Sequence, residues 1–460
     1  MERRHTIPRR TLALLAGALA GVAAAVPTMA AVAHVLAPDI SEPLLEATHL
    51  PALITDPSEP VDLAYDVYCA TDESEASAPC DANGTVYVRA GEAGAFEALA
   101  LRRDPAAPGL RLTARVPAGI AASRAGFSYY AAISSEASGR SVTLPAGGSG
   151  APQQSLPLAR DAAVELGRQA FGPGREADAR VAEASWGSGP GAVGLEQGRN
   201  LAPIGGSSFD VDESGVVTVL DEANRRLLRW RPGARSPEHV PLSIRGTLAD
   251  LSVGTDGTLY VLETAADVGR AAQLRAFGAD GVAHDVVDLA ERGSAVRVGP
   301  DGPVVLRQPS GQWMPAILDG RPLGASEQSR AGRTGRPVAG GREVVVLRTG
   351  AYEGRAALLG ANGTQRTWRV TSDTALAEVQ LAEPYREGLV LVVRAYTDDA
   401  AEFVVLVLGH KGLVGRFSLD ANDWAETAPV SRFRLAGSSL YQLGSTPDGI
   451  FVDRFDLEVQ

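Results

Sequence analysis

Along the second half of this 460-residue chain, strand-sized segments recur at starts near 209, 251 and 296. The spacing is in the forties, the length of one four-stranded repeat. Each unit is a pair of alternating segments around a turn: Phe209–Leu220 about Ser214-Gly215, Leu251–Leu262 about Asp256-Gly257, Val296–Leu306 about Asp301-Gly302, and Phe433–Leu443 about Ser438-Ser439. Alternation at period two is what a half-buried antiparallel strand requires. A second set of turns follows, at Ala279-Asp280-Gly281, Asp319-Gly320, Asn362-Gly363 and Lys411-Gly412. Two turns per repeat describe a meander. More diverged units fit around Glu343–Val370 and Glu378–Leu419, with strands at Val344–Leu347, Leu389–Val393 and Phe403–Leu408. The count is six, within one.

The stretch Ser185–Gly233 shows the unit most completely. A glycine-rich loop after Trp186-Gly187 leads into Phe209-Asp210-Val211-Asp212, then Val219-Leu220-Asp221, Asn224, Arg225-Arg226 and Trp230. These residues resemble one blade of an NHL-type β-propeller. The resemblance covers roughly 178–460 and implies an all-β fold with a six-bladed (five to seven) propeller in this half. The last unit ends one strand short, and an open sheet edge is a liability. NHL-type propellers place an outer strand just ahead of the glycine loop. The resemblance therefore implies that strand 180–186 pairs with 450–457 and closes the propeller.

Ahead of the repeats the composition changes. Arg3, Arg4, Arg9 and Arg10 precede an uncharged run from Thr11 to Ala37. Residues 1–37 read as an export signal, cleaved near Ala31-Val32-Ala33, or as a membrane anchor through 11–37. Either places the rest of the chain outside the cytoplasm, because the arginines stay inside. In an oxidising compartment the two cysteines, Cys69 and Cys80, are expected to form a disulfide. Residues 38–60 are proline-rich and acidic, a tether. Six short strands follow between 61 and 148, with turns expected at Asn83-Gly84, Pro108-Gly109 and Ser138-Gly139, which suggests a β-sandwich. The segment Leu112–Pro117 followed by Gly126-Phe127-Ser128-Tyr129-Tyr130 resembles bacterial immunoglobulin-like or fibronectin-type modules. Residues 149–177 have linker composition, with Asp161–Ala170 either helix or strand.

A formal net charge of −12 excludes general affinity for nucleic acid. Gly189-Pro190-Gly191-Ala192-Val193-Gly194 has dinucleotide-loop spacing but lacks the helix that such a site needs, so it reads as a loop between blades. No cofactor is expected. The propeller resemblance raises zinc-dependent lyases, whose histidines converge. Here His239 and His284 fall at the start of outer strands, on the rim, and His410 at a third-strand end; they do not cluster, so no metal site is expected from them. Some six-bladed propellers bind Ca²⁺ through channel carboxylates, and Asp210, Asp212 and Asp250 lie on or beside inner strands. Arg297 and Arg434, however, align with Asp210. A mixed ring of Asp210, Asp250, Arg297 and Arg434 suits salt bridges or a zwitterionic ligand more than a bare cation. Two functions follow. One is an extracytoplasmic binding or scaffold protein whose partner is a protein or glycan of the cell envelope. The other is a propeller hydrolase or lyase acting on a small polar substrate, with Ca²⁺ as its candidate metal.

Overall fold

The structure, a computed structural model, describes residues 44–70, 81–107, 109–158, 161–198, 202–243, 247–264, 272–290, 293–307, 312–348, 350–360, 365–426 and 431–457. The expected export segment, Cys80 and the Asn362-Gly363 turn lie outside the described residues. Cys69 is not a free thiol. Among the described residues no helix is long and apolar enough to cross a membrane.

Two sheets at the front share one core. The first runs Leu44–His49, Asp62–Ala70, Leu110–Arg115, Arg102–Arg103. The second runs Ile54–Thr55, Gln153–Pro157, Phe127–Ser135, Asn83–Ala90, Glu97–Ala100, with Arg140–Leu144 also on Phe127–Ser135. Alternation divides each strand. In Asp62–Ala70, the side chains of Leu63, Tyr65 and Val67 are buried with Val86, Val88, Leu112, Phe127, Tyr129 and Ile133. Asp62 and Asp66 face solvent, where Arg115 and Arg111 pair with them at 2.8 and 2.7 Å. Such exposed pairs add little stability.

Three expectations are corrected here. Residues 38–60 are not simply a tether: Leu44–His49 is an edge strand of the first sheet, burying Ala47, and Ile54–Thr55 pairs parallel with Leu156 and Pro157. Residues 149–177 are not a free linker. Gln153–Pro157 pairs with Phe127–Tyr129, and Asp161–Glu165 pairs parallel with Gln365–Thr371, hundreds of residues on. These segments look like linkers because the strands are short, and Ile54–Thr55 and Asp161–Glu165 have their partners far away in sequence. Asn83-Gly84 is not a turn but the start of a strand. A Cβ at Gly84 would lie 2.6 Å from the Ala132 carbonyl, so the glycine permits close strand approach.

Six further sheets follow in chain order. The first is Ser208–Val211, Val217–Asp221, Arg226–Trp230, Glu238–Pro241. The second is Thr247–Val253, Leu259–Thr264, Gln273–Phe277, Ala283–Asp288. The third has three strands, Gly293–Gly299, Gly302–Arg307 and Trp313–Pro315. A small hairpin, Ile317–Leu318 with Arg321–Pro322, and the short helix Ala325–Arg330 follow it. The Asp319-Gly320 turn therefore belongs to that hairpin and not to a fourth strand. The fourth sheet is Arg336–Val338, Arg342–Arg348, Glu353–Leu359, Gln365–Thr371, with Asp161–Glu165 outermost. The fifth is Ala375–Tyr385, Gly388–Tyr396, Ala401–Gly409, Gly412–Asp420. The sixth is Phe433–Ala436, Ser439–Thr446, Gly449–Asp456 and, last, Ala179–Ser185. That last ladder runs antiparallel from Ala179 opposite Arg454 to Ser185 opposite Gly449, the pairing expected for 180–186.

The leading strands of these sheets contact one another in succession, first to second to third to fourth. The fourth meets the fifth, the fifth meets the sixth, and the sixth meets the first. Apolar clusters fill the spaces between faces. Phe209, Val219 and Leu228 pack with Leu443 and Val452; Leu220 and Leu227 pack with Leu251 and Val261. One face of the fourth sheet packs on the fifth through Trp368, Leu391 and Leu406. Its other face, with Val345 and Ala357, packs on Leu53, Ile54 and Leu156 from the N-terminal sheets. The Thr334 hydroxyl, donating to the Gln154 carbonyl at 3.1 Å, fastens the same seam. The front module is thus built against the fourth sheet.

Candidate functional site

The first strand of each of the six sheets carries one charged side chain into a common region: Asp210, Asp250, Arg297, Arg336, Glu383 and Arg434 in chain order. Three carboxylates meet three guanidiniums, so the set is formally neutral. The alternation places these side chains opposite the apolar clusters. Asp250, for example, precedes the fully buried Leu251.

Asp250 is the hub and is inaccessible to solvent. It accepts from the Ser208 hydroxyl at 2.6 Å, the Ser431 hydroxyl at 2.5 Å, the Val296 N–H at 2.9 Å and Arg297 Nη1 at 2.7 Å. Arg434 Nη2 adds a longer contact at 3.3 Å. One carboxylate in the second sheet thereby ties down the first, third and sixth. Burial alone would push its carboxyl up. The Arg297 and Arg434 charges, with the two hydroxyls, outweigh that and hold it below the usual carboxylate range.

Asp210 accepts from the Val253 N–H at 2.7 Å and the Ser252 hydroxyl at 3.1 Å, and pairs with Arg434 Nε at 3.4 Å. Arg434 also donates to the carbonyls of Phe433 and Leu251. Arg336 donates to Glu383 at 2.6 Å and to the Ala382 carbonyl at 2.8 Å, joining the fourth sheet to the fifth.

All four expected site residues, Asp210, Asp250, Arg297 and Arg434, therefore come together, and they are bonded to one another. Asp212 does not join them. Its carboxylate caps its own turn through the Ser214 and Val216 N–H groups. Arg336, Glu383, Ser208 and Ser431 belong to the network but were not singled out in the sequence. Ser208 stood one residue before a repeat start. Glu383 follows two register shifts in Ala375–Tyr385, which displace it from the position the repeat spacing marks.

A second buried polar set acts together in the first sheet. Asp221, fully buried, accepts from Gly194 N–H, Asn224 Nδ2 and Arg226 Nε, while Arg226 Nη2 donates to the Gly189 and Ala192 carbonyls. The glycine-rich loop is thus lashed to the first sheet. His239 and His284 stand exposed on outermost strands and His410 in a turn. Among the described residues no group of three or more His, Cys, Asp or Glu side chains is placed to hold a metal.

No known protein family matches the chain, and no curated protein does. Solved structures with some likeness include hydrazine synthase of Kuenenia stuttgartiensis, at 12% identity over 55% of this chain and 80% of that one, TM-score 0.31. Virginiamycin B lyase from Staphylococcus aureus shows 8% identity over 54% of this chain and 94% of that one, TM-score 0.32. BamB from Moraxella catarrhalis shows 12% identity over 60% and 99%, TM-score 0.24. Likenesses at TM-scores this low carry neither fold nor activity to this chain.

Proposed function

We propose that residues 178–460 form a six-bladed, NHL-type propeller closed by strand 180–186, and that the front sheets form an immunoglobulin-like sandwich. On this reading the chain is an extracytoplasmic protein, exported or anchored through 11–37, that binds a protein or glycan partner on a loop face of the propeller. The observation that supports binding over channel chemistry is the mutual pairing of the converging charges. Asp210, Asp250, Arg297 and Arg434 bond to each other and to the backbone of neighbouring sheets. Groups used this way stabilise the ring instead of meeting a substrate. Recognition then falls to the turns, where Asp212-Glu213, Asp256 and Asp301 lie in the first turn of three successive sheets.

The test is affinity capture from envelope extract on the immobilised full-length protein, beside the same protein with Glu213, Asp256 and Asp301 changed to lysine. A partner retained by the first and lost by the second supports the reading. A metal that co-purifies in stoichiometric amount, together with turnover of a small polar substrate abolished by chelation, overturns it.

A further inference from the structure

We propose that the cleft between the fifth and sixth sheets is a binding site for a small organic cation bearing ammonium or guanidinium groups. The proposal does not depend on the partner reading above. The cleft encloses about 310 Å³ and is lined in part by Glu176, Arg180, Asp420, Gln442, Phe451 and Asp453. A volume at the low end of ligand pockets suits a small molecule.

The stretch that runs into the closing strand roofs the cleft without filling it. The Gly174 N–H donates to Asp420 Oδ1 at 2.9 Å and the Arg175 N–H to the Ser418 carbonyl at 2.7 Å, both on the fifth sheet. The Asp178 N–H donates to the Arg454 carbonyl at 2.9 Å on the sixth. The roof therefore spans two sheets at fixed height.

The chemistry left inside is that of acceptors. Gln442, at 1% exposure, spends its Nε2 on the Asp420 carbonyl at 2.8 Å. Its Oε1 has no donor among the described residues, although the residue lines the cleft. Facing the cleft, this acceptor is open to an N–H or O–H donor that enters it. The cleft's positive charges are already committed. Arg180 holds Asp453 through two bonds of 2.9 and 3.2 Å and lies 4.0 Å above the Phe451 ring. Arg175 holds Asp178 and the Asp456 carbonyl and lies over Phe417. The Glu176 carboxylate and Asp420 Oδ2 carry no ion pair among the described residues. Two carboxylates at the rim and an amide oxygen at the floor match a ligand rich in N–H donors and repel anions. Phe455 also lines the cleft and offers an apolar contact for a short methylene chain, the Phe451 ring being covered by Arg180.

Isothermal titration of the full-length protein with agmatine tests this, with 1,4-butanediol as the uncharged chain. Agmatine is expected to bind saturably at one site and the diol not at all. Glu176→Gln, Asp420→Asn and Gln442→Leu are each expected to weaken agmatine about tenfold. Glu176 is exposed, so its variant keeps the wild-type unfolding midpoint and remains readable even if Gln442→Leu loosens the sheet. Absence of saturable binding up to millimolar agmatine overturns the proposal. So does agmatine binding that is unchanged in both Glu176→Gln and Asp420→Asn.

Discussion

Replacing Asp250 with alanine takes one carboxylate away from two buried guanidiniums, those of Arg297 and Arg434. Arg297 and Arg434 have side-chain exposures of only 11% and 5%, so water cannot take the place of the lost partner. The Ser208 and Ser431 hydroxyls and the Val296 N–H lose their acceptor in the same step. Breaking a buried pair by removing one partner costs roughly 3–5 kcal/mol. In a domain of this size that lowers the thermal midpoint by roughly 10 °C. Asp250→Asn, which keeps an acceptor oxygen but not the charge, should fall between alanine and wild type. The decisive measurement is a double-mutant cycle with Arg434→Met by denaturant unfolding. If the network is a closed ion set, Asp250→Ala with Arg434→Met is less damaging than the sum of the two, by more than about 1 kcal/mol. Additive losses, or an Asp250→Ala midpoint equal to wild type, would refute the account of Asp250 as the hub.

Burial of His49, opposed only in part by its bond to the Ala64 carbonyl, pulls its pKa down to about 4. The unfolded chain binds this proton near pH 6.5, so stability is complete above that value and falls as pH drops toward 4, by about 3 kcal/mol in all; a midpoint for His49→Phe with the same pH slope would count against this. In the closing strand, Ala184→Asp sets a carboxylate against the face holding Ile450 and Val452 and should cost more than about 2 kcal/mol, whereas the exposed Glu183→Ala should stay within about 0.5 kcal/mol, as read by unfolding midpoints. Cys69 and Cys80 are proposed to pair, so thiol labelling of the unreduced, denatured protein should find neither; two labelled cysteines would refute the bond.

What the sequence made legible follows from how each strand is buried. Strands such as Ser208–Val211 and Arg226–Trp230 sit beside tight turns at Gly215 and Arg225, where φ is +82° and +52°. Turn chemistry and alternation together mark them, so the first two sheets and the closing ladder could be placed by number. The fifth sheet hides the same repeat. In Gly388–Tyr396, Leu389, Leu391 and Val393 face the fourth sheet while Val390 and Val392 face the sixth. A strand covered on both faces loses its polar alternation and reads as one apolar run. The front boundary was obscured for a different reason. Leu53 and Ile54 lie in a proline-rich segment with no periodicity, yet they meet Val345 and Ala357 of the fourth sheet, nearly three hundred residues away in sequence.

The charged network was half legible for the same physical reason. Asp210, Arg297 and Arg434 stand at equivalent repeat positions and Asp250 two positions earlier in its own strand, so counting found them. Arg336 heads a three-residue strand, and Glu383 follows two bulges, so counting could not. Yet charge balance couples the two. Asp210 and Asp250 against Arg297 and Arg434 is neutral, so a fifth buried charge demands a sixth of opposite sign, since an unpaired charge at this depth is not tolerated. Arg336 and Glu383 are that pair, bonded at 2.6 Å across the fourth and fifth sheets. Where the leading strands of successive sheets converge, the sign of one buried residue thus constrains its neighbours, and a diverged sheet can be located by the counter-charge it must supply.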